Sequence, residues 1–162
     1  SLKEEPLMSH KEQLFNRVVE YLDSQNWNYD LDDSEKGIIR FGMNLGSKLK
    51  NCRIIVVVSE KDIQSIAVCP INASKDVYDN VVEFLTRANY GLKLGKFEFD
   101  YSDGEIRYQY CLACGGAVPS LADVERCVDV GYFMLKMYGD GLAKNLMGFG
   151  NPEADIKEIE SK

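Results

Sequence analysis

The sequence predicts an α+β protein, an antiparallel sheet with helices packed on it in the order α-β-β-β-α-β-β-α. Three observations carry that prediction. Apolar residues recur at helical spacing in three segments, and strand-like alternation or β-branched runs mark five others. Two of those five flank Asp103-Gly104, a dipeptide that favours a tight hairpin turn. At 162 residues, with 45% hydrophobic and 28% charged content, the chain suits one domain with a sizeable core. The expected organisation is a flexible N-terminus at 1–8, a single α+β domain at 9–150, and a charged, frayed C-terminal tail at 151–162.

Ser9-His10-Lys11-Glu12 has the form of a capping box, with Ser9 as N-cap. The helix it opens runs to about Ser24 and sets Leu14, Phe15, Val18, Val19, Tyr21 and Leu22 along one side. Three strands follow. Ile38–Leu45 alternates, with Ile39, Phe41 and Met43 on one face. Cys52–Val58 is a continuous β-branched run of the kind buried on both faces, and Gln64–Ile71 carries Pro70 as the mark of an edge or a strand end.

A second helix, from about Asp76 to Tyr90, shows one apolar row at Val77, Val81, Phe84 and Ala88, and another at Tyr78, Val82 and Leu85. Together they span an arc of roughly 160°, wider than the ~100° stripe one sheet face needs. The hairpin GKFEFDYSDGEIRYQY comes next. With Asp103-Gly104 as a two-residue type I′ loop, Tyr101 faces Ile106, Phe99 faces Tyr108, Phe97 faces Tyr110, and Asp100 faces Arg107. Pro119-Ser120 opens the third helix, with Ser120 and Asp123 as a second capping box; it is expected to end near Tyr138. Val130–Leu135 is apolar almost all round, and Gly139–Gly150 reads as a glycine-rich, irregular segment.

The candidate chemistry dissolves on inspection. Cys111 and Cys114 have the spacing of a redox or zinc pair, but residues three apart on a strand point to opposite faces. Cys114 is expected inward beside Leu112 and Tyr110, and Cys111 outward. His10, the only histidine, reads as a solvated surface residue, and the Asp30–Glu35 stretch lacks the turn glycine of a calcium loop. No catalytic, metal or cofactor-binding residue is assigned, and no cofactor is expected. A net charge of −7 disfavours nucleic acid and anionic membrane surfaces as partners. With no apolar run near ~18 residues and no signal-peptide pattern, a cytoplasmic protein is expected.

The stretch NVVEFLTRANYGLKLGKFEFDYSDGEIRY, within Asp76–Tyr110, resembles the signature of the bacterial YbjN-like family of sensory-transduction regulators. An apolar helix with an Asn near its end leads into Gly95-x-Phe97-x-Phe99-Asp100, and Asp103-Gly104-Glu105-Ile106 opens the next strand. The half before residue 75 resembles the family in pattern. The resemblance implies a fold like that of the type III secretion chaperones, which are small, acidic, cytoplasmic homodimers that bind other proteins. It carries no catalytic residues.

The expected function is therefore a non-enzymatic protein-binding or regulatory domain. The alternatives are a small-molecule sensor with an apolar pocket between sheet and helices, and a thiol redox protein built on Cys111 and Cys114. The surplus apolar residues Tyr78, Val82, Leu85, Tyr132, Phe133 and Met137 are the candidate surface for a homodimer or an unidentified protein partner.

Overall fold

Residues 7–162 are described by a computed structural model, so the expected flexible N-terminus lies outside the described residues except for Leu7 and Met8. Helix α1 (His10–Ser24) starts where the Ser9 hydroxyl accepts the Glu12 N–H at 3.1 Å. Strands β1 (Ile38–Asn44), β2 (Asn51–Val58) and β3 (Asp62–Val68) form a meander. Helix α2 (Tyr78–Asn89), strands β4 (Lys96–Phe99) and β5 (Ile106–Ala113), and helix α3 (Leu121–Leu146) complete the predicted order. A further helix, α4, spans Pro152–Glu160. The five strands make one antiparallel sheet ordered β1-β2-β3-β5-β4.

One face of that sheet carries the core. Ile39, Ile54, Val56, Ile63, Ala67, Ile106 and Tyr108 point into it and meet Leu14, Val18, Phe84, Val124 and Leu135 from the helices. Helix α3 lies over the central strand so closely that a Cβ on Gly131 would sit 2.6 Å from the Ala67 Cβ. Only glycine fits there. Strand β2 is not buried on both faces as expected: Cys52, Ile54, Val56 and Val58 are buried, whereas Ile55 and Val57 are half-buried. The helices cover a single face, so Ile55 and Val57 on the other face gain only partial cover. Strand β3 is central, and Pro70 marks its end, not an edge.

The hairpin register differs from the prediction by two residues. Phe99 pairs with Ile106, Glu98 with Arg107, and Phe97 with Tyr108. A shift of two preserves which face each side chain takes, so the inner row survives. Its cause is a longer loop, residues 100–105. The Asp100 carboxylate accepts the Ser102 N–H (2.8 Å) and hydroxyl (2.6 Å), and the Asp103 carboxylate accepts the Glu105 N–H (2.9 Å). These local bonds outcompete a type I′ turn, which needs positive φ at both central positions; only Gly104 has it, at 78°.

Two expectations about the C-terminus are corrected. The segment Gly139–Gly150 is not irregular up to Leu146: α3 continues through Gly139 and Gly141. A Cβ on Gly141 would approach Ile159 and Phe84 to 2.7 and 3.0 Å, so the glycine lets α4 and α2 close on α3. The charged tail is not frayed but folds as α4, packed against α2 and α3 with Pro152, Asp155 and Ile156 buried. Asn151 caps it by accepting the Ala154 N–H at 3.0 Å, and Pro152 sits in the first turn.

Candidate functional site

The predicted surface residues fall into two separate groups, and one of them leaves the surface. Leu85 is 3% exposed and belongs to the core. The wide apolar arc of α2 that raised it as a surface residue is consumed within the chain, because α2 meets β4, α3 and α4. Tyr78 and Val82 remain half-buried. Tyr78 packs edge-on against Phe99 (centroids 4.9 Å apart) and Tyr101 (5.9 Å), and Phe99 and Tyr101 meet at 5.0 Å. Tyr101, on the hairpin loop, is 65% exposed. The predicted register pairs it with Ile106 in the ladder; the longer loop takes it out of the strand, because β4 ends at Phe99.

The other group lies on α3. Tyr132 and Phe133 stack edge-on at 5.3 Å, and the Lys136 ammonium lies 5.7 Å from the Tyr132 ring centroid. Phe133 and Met137 are 54% and 47% exposed. Among the described residues no aromatic contact joins this group to the Tyr78 cluster.

Tyr101 separates two surface clefts. One, about 410 Å³, is lined by Asp79, Val82, Glu83, Thr86 and Arg87; the other, about 330 Å³, by Glu98, Phe99, Asp100, Glu105 and Arg107. A larger cleft of about 510 Å³ runs along α3 and α4 between Lys48, Asp140, Lys144, Asp155 and Glu158. These are open surface grooves that mix charged and apolar side chains, Met137 and Ile159 among them in the largest. None is the apolar pocket between sheet and helices that the sensor reading requires.

The cysteines are all free thiols. Cys111 faces outward and Cys114 is half-buried just past β5, as the alternation predicts. Burial and the Asp62 carboxylate raise both thiols above their ordinary pKa, and burial pushes Cys127 up to about 12. A thiol raised in this way is a poor nucleophile at neutral pH, which removes the support for the redox reading. Among the described residues no cluster of three or more His, Cys, Asp or Glu could hold a metal.

His10 is a surface side chain, as expected, but both of its ring nitrogens are engaged. Its Nδ1 lies 2.5 Å from the Glu60 carbonyl oxygen and its Nε2 lies 2.8 Å from that of Ala117. Both ring nitrogens therefore face acceptors, and only the imidazolium can donate to both. These bonds raise its pKa above the ordinary value.

The family model for YbjN, described as "Putative bacterial sensory transduction regulator", matches residues 15–143. The chain belongs to the YbjN family. The YbjN match covers the half before residue 75 as well as the hairpin signature, and stops short of α4. No curated protein matches the chain. Among the described residues no helix is long and apolar enough to cross a membrane.

Proposed function

We propose that this YbjN protein is a cytoplasmic regulator that acts by binding other proteins and carries out no chemistry of its own. The observation that carries the reading is the outward row on α3, where Phe133 and Met137 stand about half exposed next to Tyr132. Large apolar side chains grouped on a folded surface gain free energy when a partner covers them. Val130, Phe133 and Met137 follow helical spacing, so the row can pair with its own copy about a two-fold axis. We place the homodimer contact there, which leaves the Tyr78 side free for a second protein.

Light scattering at micromolar protein tests the dimer. A mass near twice 18.3 kDa that Phe133→Asp returns to the single-chain value supports it; 18.3 kDa at every concentration removes it. Affinity capture from native cytosol tests the wider reading. A protein retained in stoichiometric amount supports binding as the function, and a bait that retains nothing specific at tens of micromolar overturns it.

A further inference from the structure

Tyr101 poses a packing problem. The loop that carries it is held by its own polar groups, with the Gly104 N–H donating to the Asp100 carbonyl (2.8 Å) and the Asp100 N–H to that of Glu105 (2.9 Å). The loop is also anchored outside the hairpin, where the Ala73 N–H donates to the Gly104 carbonyl at 2.9 Å. A loop so fixed holds the ring in place, yet the ring stays 65% exposed. Rigid, exposed tyrosines in a defined pose are the side chains that anchor protein interfaces, since little entropy is lost on binding.

The surroundings of the ring select the partner. The two clefts that flank Tyr101 carry five carboxylates, Asp79, Glu83, Glu98, Asp100 and Glu105, against two guanidiniums, Arg87 and Arg107. Both guanidiniums are already engaged, Arg87 with Glu83 at 3.0 Å and Arg107 with Glu98 at 2.8 Å. The patch therefore keeps a net negative charge beside the faces of aromatic rings. Both features attract the same chemistry, because a cation is drawn to carboxylates and to an aromatic face alike.

We infer that the Tyr78–Phe99–Tyr101 cluster is a docking surface for a basic segment of a partner protein, one that straddles Tyr101 and sets a lysine or arginine side chain in each flanking cleft. Val82 and the ring of Tyr78 give the apolar residues of that segment a place to rest. The inference rests on the protein-binding reading and specifies the chemistry of the bound segment.

A fluorescently labelled twelve-residue peptide of alternating lysine and leucine, titrated with the full chain, serves as the probe. The expected result is saturable binding at 50 mM salt that weakens steeply with added salt. Tyr101→Ala and the double variant Asp79→Asn, Glu105→Gln should each weaken it at least tenfold, and Tyr101→Phe should bind like the wild type. Far-UV circular dichroism confirms that each variant is folded. Three outcomes with the peptide overturn the inference: no binding at 50 mM salt, equal binding by Tyr101→Ala, or displacement of the peptide by equimolar spermine, which would make the ligand a small polycation. A cytosolic protein captured equally by wild type and Tyr101→Ala sinks this surface but leaves protein binding standing; capture of nothing by either, even with peptide binding intact, sinks the wider reading and this inference with it.

Discussion

The side-chain amide of Asn89 closes both backbone hydrogen-bonding groups of Phe97. The Phe97 N–H donates to Asn89 Oδ1 at 2.7 Å, and Asn89 Nδ2 donates to the Phe97 carbonyl at 3.0 Å. Strand β4 is an edge of the sheet, and an edge with free N–H and C=O groups invites pairing with another chain. An asparagine at the last residue of α2 takes the place of a neighbouring strand. This gives a physical reason for an Asn near the end of that helix.

Asn89→Ala should therefore cost about 1–3 kcal/mol, the range for leaving partly buried polar groups without partners. Urea denaturation measures the loss. The freed edge should also promote aggregation, which sedimentation at rising concentration detects. A variant with wild-type stability would mean that water replaces the amide at no cost.

His10 predicts a pH dependence. Its folded pKa is raised, first by the Ala117 carbonyl, then by the Glu60 carbonyl, with the Glu60 carboxylate adding to them. A base whose pKa rises on folding adds stability that is fully present below its unfolded value, here 6.5, and is lost as pH rises through the folded pKa. Melting temperature should fall across that window, and His10→Ala should flatten this part of the profile. The single imidazole resonance, followed by NMR, should titrate above 6.5. A titration at or below that value means the ring does not donate to both carbonyls.

Gly104 tests the corrected hairpin. Its φ of 78° is strained for any residue with a Cβ, and that atom would lie 2.2 Å from the Ala73 carbonyl oxygen. Gly104→Ala should cost at least about 1–2 kcal/mol from the left-handed backbone alone, with the clash added to it. A two-residue type I′ turn would show a different pattern, with Asp103→Gly stabilising the chain. In the observed loop Asp103→Gly removes the bond to the Glu105 N–H and should destabilise it.

That contrast shows how much the sequence could tell. Alternation named the inner face of β4 and β5 correctly, because face depends only on a period of two. Register depends on the loop, and the competing Asp100 and Asp103 side-chain bonds are not visible in the dipeptide Asp-Gly. Tyr101 thus leaves the predicted pairing with Ile106 for the loop, where it is 65% exposed. Leu85 moved the other way, because the element that helps cover α2 lay in a segment dismissed for its charge. The signal was present there: Asn151, Pro152 and Glu153 are a helix N-cap followed by first-turn residues.

Asp155 is what holds that last helix down. It is 7% exposed, and its carboxylate accepts the Asn151 N–H at 2.8 Å, the Asn145 side-chain amide at 3.0 Å and the Lys144 ammonium at 3.3 Å. The Lys144 ammonium is 32% exposed, so water screens part of its pull on the nearly buried carboxylate. The two amide bonds are sheltered and charge-assisted, and removing the acceptor leaves the Asn145 side chain buried with its Oδ1 already unpartnered. Asp155→Ala should cost about 1.5–3 kcal/mol. The loss should be local at first: α4 lifts from α2 and α3, Ile156 and Ile159 leave the core, and Phe84 gains solvent access across Gly141. Amide hydrogen exchange should accelerate at least tenfold in α4 and at the end of α3, with the amides of β2 and β3 unchanged. Acceleration spread evenly over the sheet would mean that α4 and the core unfold as one unit, and that the tail is part of the cooperative fold and not a docked cover.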